Sequence, residues 1–163
     1  MPLSKKQLEK MGIAYVAERL YREGLRFAIP DIDDGIDLII YNRAEENQFA
    51  AVPVQLKAFS DEEFYSDKKY LKIKGLFMVY LWHVGTNRPV RAFGMEYAEV
   101  EKIVDQRGWS RHNGVYAITR GTNPLRDSLH PFEITNWNKL FFGVNDRHNG
   151  ATDFRRNGAS KKG

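Results

Sequence analysis

The chain has 163 residues, with 25 basic against 21 acidic side chains, a net charge of +4 and a pI near 9.2. That length suits one domain able to bury roughly two thirds of the surface its unfolded form would expose, and a composition 42% hydrophobic and 13% aromatic supplies a packed core. With no cysteine there is neither a disulfide framework nor a Cys-based zinc site, and the mild positive charge is compatible with a polyanionic partner without requiring one.

The opening stretch MPLSKKQLEKMGIAYVAERL is too polar for a signal peptide. The longest apolar run, residues 76 to 82, is far too short to span a bilayer. A soluble, cytoplasmic protein is therefore expected. Ile13, Val16, Ala17 and Leu20 recur at the spacing of an amphipathic helix that Gly24 stops, which predicts a helix over about residues 5 to 23. LRFAIP predicts a short strand closed by Pro30, and the β-branched GIDLIIYN a second. FAAVPVQLKAF returns as a third, in which Pro53 lacks a ladder donor and implies a bulge or an unpaired position.

The charged SDEEFYSDKKYLKIK that follows predicts a loop with some helix. The unbroken apolar GLFMVYLWHV predicts a strand covered on both faces, at the centre of the sheet. VRAFGM predicts another strand, and EYAEVEKIVDQRG a helix with Tyr97, Val100, Ile103 and Val104 inward before Gly108 ends it. NGVYAIT adds a late strand. RHNG occurs twice, but nothing around the two copies matches, so it is no repeat. The pattern is one mixed α/β domain over residues 1–144 with a polar, basic, flexible tail over 145–163.

Alternate side chains on a strand share a face, so Gln55 and Lys57 project together, away from Leu56 and Ala58. Asp37 lies on the preceding strand, and antiparallel pairing brings its carboxylate toward Gln55. A carboxylate, an amide oxygen and the backbone carbonyl of Leu56 are hard oxygen donors suited to Mg²⁺. A lysine beside them supplies positive charge for a developing phosphorane, or helps a metal-bound water lose its proton. The plainer readings are an Asp37 bonded to turn amides in DDGID, a Lys57 whose stem lies on the sheet with its ammonium in water, and a Gln55 that satisfies backbone near Pro53.

GID followed by QLK resembles the PD-(D/E)XK nuclease superfamily, in the variant where Gln replaces the acidic residue before X-Lys. The order of elements over about residues 9 to 105 resembles that superfamily's core. The nearest likenesses are type IV restriction endonucleases with a Gln-X-Lys site, Holliday-junction resolvases and small restriction-endonuclease-like domains. The resemblance implies a three-layer α/β core, with a mixed central sheet flanked by helices, and hydrolysis of DNA with Mg²⁺ or Mn²⁺. It implies Asp37 as the metal-binding aspartate, Gln55 as second ligand, Leu56 as a ligand through its carbonyl and Lys57 as the catalytic lysine. Asp34 would support the metal from behind. Resolvase-like members also carry a glutamate on the first helix, for which Glu9, on the expected inward stripe, is preferred to Glu18. A homodimer is expected of a small nuclease that cuts both strands.

Other signals are weaker. KKYLKIKG, residues 68 to 75, is read first as a solvated helix face, with phosphate contacts and stacking by Tyr70 as the alternative. Arg155, Arg156, Lys161 and Lys162 are read as a basic end. His83, His112, His130 and His148 show no metal spacing and are read as structural or exposed. Trp109, Trp137 and the run LFFGV are read as core. The alternative to an endonuclease is a nuclease-fold module without turnover, binding nucleic acid or a protein partner in a defence system.

Overall fold

The protein is described from a computed structural model, covering residues 2–32, 34–42, 49–118 and 121–138. Helix α1, Lys5–Arg22, starts at a capping box: Ser4 Oγ accepts the Gln7 N–H at 3.3 Å, and the Gln7 side chain accepts from Ser4 N at 2.8 Å. Its buried residues are Leu8, Gly12, Val16 and Leu20. The stripe thus runs through Gly12, with Ile13 and Ala17 only half-buried. The reason is close approach: a Cβ at Gly12 would stand 2.8 Å from Ala58 Cβ and 3.2 Å from Leu56 Cδ2. Glu9, expected on the inward stripe, is exposed.

Five strands form one sheet: β1 (Arg26–Ala28), β2 (Leu38–Tyr41), β3 (Ala51–Ala58), β5 (Phe77–Trp82) and β6 (Arg91–Glu96), side by side in that order. Every neighbouring pair is antiparallel except β3 and β5, which run parallel. The apolar strand β5 is buried along its whole length as expected, but β3 takes the centre. Pro53 stands opposite Ile39, one residue before β3 begins pairing with β5 at Val54, so no ladder bond to β5 is lost at the proline.

One face of the sheet carries Leu38, Ile40, Val54, Leu56, Val79 and Leu81 and packs on α1. The other carries Met78, Tyr80, Trp82 and Phe93 and packs on α2 (Tyr97–Gln106) and α3 (Asn123–Leu129). Helix α2 buries Tyr97, Val100, Ile103 and Val104, as its spacing predicted. The result is a three-layer α/β architecture with a mixed sheet between helices.

Three features depart from expectation. The charged segment after β3, expected as a loop with some helix, contains a strand, β4 (Phe64–Asp67), ahead of a 3₁₀ turn, Lys68–Lys72. The late strand β7 (Val115–Ile118) pairs with β4 in a separate two-stranded sheet. Helix α3, unforeseen in the sequence, is capped by Thr122 and begins with Pro124 in its first turn. The tail 145–163, the run LFFGV and His148 lie outside the described residues.

Candidate active site

Asp37, expected on the strand, lies one residue before β2, where its backbone N–H donates to the Val54 carbonyl at 2.8 Å and the regular pairing of β2 with β3 has ended. Gln55 Nε2 donates to Asp37 Oδ2, and the Leu56 N–H donates to the same oxygen at 2.7 Å. Gln55 Nε2 also lies 3.3 Å from the Leu56 carbonyl oxygen. Three oxygen-bearing groups therefore meet around one point, with Gln55 itself only 4% exposed. The carboxylate is held by two donors, which fixes its direction before any ligand arrives.

Gln55 and Lys57 stand opposite Met78 and Tyr80 in the parallel register, on the second face of the sheet. Lys57 Nζ lies 5.4 Å from the centre of the Tyr65 ring and 5.6 Å from that of Tyr70. Two aromatic rings thus stand within cation–π reach of one ammonium. The Tyr65 hydroxyl donates to Asp67 Oδ2 at 3.1 Å, and burial first, then that carboxylate, push the Tyr65 phenol up to about 12. Asp67 also caps the 3₁₀ turn by accepting the Lys69 N–H at 2.9 Å, so one side chain holds both walls of the lysine slot.

Strand β4 delivers this wall and is itself suspended from the main sheet. The carbonyls of Glu63, Tyr65 and Asp67 accept hydrogen bonds from Trp82 Nε1 (2.7 Å), Tyr80 Oη (2.8 Å) and Tyr97 Oη (2.6 Å). These donors are buried, and burial raises both phenols far above their ordinary range, which keeps them protonated. Alternate carbonyls on one edge of β4 are thereby satisfied while the strand pairs with β7.

The four groups face a cleft of about 870 Å³. Lys5, Leu8 and Glu9 of α1 form one wall, and Tyr65, Lys69 and Ile118 another. Asp34, expected to support the site, lines the cleft as well, and Glu9 stands on its α1 side. Glu18 does not line it, and pairs instead with Arg19 and Arg22. Glu63 was not foreseen. It lines the cleft, and burial, then Asp61, raise its carboxyl against the opposing pull of Lys5. Among the described lining residues, Glu9, Asp34, Asp37 and Glu63 balance Lys5, Lys57, Lys69 and Lys72 in formal charge.

Tyr70, a stacking residue only in the alternative reading of its segment, is 3% exposed and packs against Tyr97. Burial removes it as a surface for a base. His83 is buried at the end of β5, where Nδ1 lies 3.0 Å from the Pro89 carbonyl, so it is structural; His112 and His130 are exposed. Trp137 belongs to the α1-side core, and Trp109 stacks on Tyr116 at 4.8 Å at the edge of the other. Among the described residues no group of three or more His, Cys, Asp or Glu side chains is placed to hold a metal. A cation here would rely on one carboxylate with amide and carbonyl oxygens. Among the same residues, no helix is long and apolar enough to cross a membrane.

No family model and no curated protein matches the chain. Among solved structures, the chain is similar to D212, a nuclease from a fusselovirus, with 13% sequence identity over 81% of this chain and 95% of that chain and a TM-score of 0.44. The chemistry of the site therefore rests on the residues of this chain.

Proposed function

We propose that the protein is a divalent-metal-dependent endonuclease that hydrolyses phosphodiester bonds in DNA. The observation that carries this reading is the meeting of the Asp37 carboxylate, the Gln55 amide and the Leu56 carbonyl in the cleft that Lys57 also lines. The donor set fits Mg²⁺ or Mn²⁺, which take hard oxygen ligands and keep several waters. Gln55 would hold the ion through Oε1, with its terminal amide turned from the orientation in which Nε2 faces Asp37. When bound, the ion polarises the phosphate and makes a coordinated water more acidic.

The chain's own residues do the rest. Asp37 is pre-oriented by the Leu56 N–H. Lys57 lies beside two tyrosine rings and serves to stabilise the charge that develops on the phosphate. The described lining residues balance in formal charge and give a polyanion little attraction of their own, so a bound cation would also admit the substrate.

The test is cleavage of plasmid, single-stranded and branched DNA by the full chain with Mg²⁺ or Mn²⁺. Lys57→Ala should reduce cleavage by about 10²–10³-fold with an unchanged circular dichroism spectrum. Absence of cleavage across that panel sinks the proposal.

A further inference from the structure

The second face of the sheet is covered unevenly. Over β5 and β6 it is packed under α2, α3 and β4. Beyond β3 the pairs Ala28–Ile39, Arg26–Tyr41 and Ile39–Pro53 carry the same face outward. There Ile39, Tyr41 and Pro53 are only half-buried, Arg26 is exposed, and none of the four belongs to either core. Gln55 and Lys57 stand on the border between the covered and the open halves.

On this open half Tyr41 is joined by Phe49, 69% exposed, with ring centres 5.9 Å apart. Arg26 is directly opposite Tyr41 across the β1–β2 ladder. Same-face residues along a strand are spaced by about 6.6 Å. Ile39, opposite Pro53, and Tyr41 therefore make a row on the face of Gln55 and Lys57, leading from the candidate phosphate site to the aromatic pair.

We propose that this open half-sheet is a binding platform for unpaired bases, and that the substrate strand is single-stranded or locally unpaired where it meets the protein. The proposal takes its direction from the reading of Asp37, Gln55 and Lys57 as a phosphodiester site, since the row starts there. Three features select a nucleic-acid strand as the occupant. Exposed aromatic rings on a sheet are stacking surfaces for bases. A guanidinium beside them meets the connecting phosphate. The platform is continuous with the groups that would act on that phosphate. A duplex keeps its bases stacked inside and has no free base face to lay on Tyr41.

The experiment measures binding without turnover: anisotropy of fluorescein-labelled oligothymidylate, and of a labelled duplex, with the full chain in EDTA at several salt concentrations. Oligothymidylate should bind more tightly than duplex. Tyr41→Ala and Phe49→Ala should each weaken oligothymidylate about tenfold or more, the range expected for one lost stacked base, while Tyr41→Phe restores it and duplex affinity hardly moves. Arg26→Ala should lower the salt slope by about 0.7, one phosphate's share on a single strand, and Tyr41→Ala should leave the slope alone. Equal affinities for Tyr41→Ala and wild type overturn the platform. So does a dimer in sedimentation that Tyr41→Ala dissolves, because the face would then belong to a second copy. The two readings fail separately. Stacking-dependent binding without any cleavage refutes the nuclease alone, whereas Lys57-dependent cleavage untouched by Tyr41→Ala refutes the platform alone.

Discussion

Gln55 donates its side-chain amide to Oδ2 of Asp37, the oxygen that also accepts the N–H of the next residue, Leu56, at 2.7 Å. The residue just ahead of β2 and two residues of β3 thus make one small polar corner at the sheet. Such a corner is costly to break, because a buried polar group left without its partner loses about 1–3 kcal/mol. The same corner is where a cation would be held, so stability and ligand binding are linked there.

The variant Gln55→Glu tests that link. It replaces a donor with a second carboxylate against Asp37, and two close carboxylates resist joint ionisation. In EDTA at neutral pH the variant should be less stable by about 1–3 kcal/mol in urea unfolding. The introduced glutamate would have a raised folded pKa, so part of the loss should return as the pH falls and it becomes a donor again. Mn²⁺ should stabilise the variant more than the wild type. If Mn²⁺ shifts neither protein, the corner does not hold a cation.

Glu62 predicts an acid-dependent contribution of the opposite sign. Burial acts to raise its carboxyl, but hydrogen bonds from Arg126 at 2.5 Å and Arg88 at 3.1 Å, with His83 nearby, bring it below its ordinary value of 4.5. A lowered folded pKa means stability present above about 4.5 and lost as the pH falls through the folded value. Glu62→Gln should cost about 1–3 kcal/mol at neutral pH, less than the 3–5 of a fully buried pair because both arginines are roughly half-exposed. The gap between variant and wild type should close below pH 4.5. Glu63, whose carboxyl is raised, works in the reverse sense, so the difference between the two proteins is the quantity that isolates Glu62.

Gly12→Ala tests the contact of α1 with the sheet. Alanine favours the helix by up to about 1 kcal/mol, but its methyl would stand 2.8 Å from Ala58 Cβ and 3.3 Å from Leu81 Cδ1. Ala58 Cβ moves only with its backbone, so overpacking by about 1–3 kcal/mol should prevail and the variant should unfold at lower urea. Ala58→Gly in the same chain should restore part of the loss. A Gly12→Ala protein more stable than the wild type would show that α1 has room to shift.

Much of the site was legible because it is local. Strand alternation put Gln55 and Lys57 on one face, and one short loop separated them from Asp37. The slot around Lys57 was not legible. Tyr65 lies in the charged stretch DEEFYSDKK, whose four-residue strand is too short and too polar to show a period. It becomes a strand because Trp82, Tyr80 and Tyr97, 15 to 30 residues away, supply hydrogen bonds to alternate carbonyls. Glu62 and Glu63 read as one charge run, yet one is buried under two arginines and the other looks into the cleft.

The sequence by itself determined the local facts: a capped amphipathic helix, strands of β-branched residues, a buried β5, and a Gln-X-Lys pair on one side of its strand. These depend on residues near one another along the chain, where propensity and period act directly. Tertiary structure alone decided that β3 is central, that β4 and β7 leave the main sheet, and that, among the described residues, the helices cover the second face over β5 and β6 but not beyond Lys57. Those outcomes depend on which distant segments meet, and contacts of that kind leave no periodic trace in the sequence.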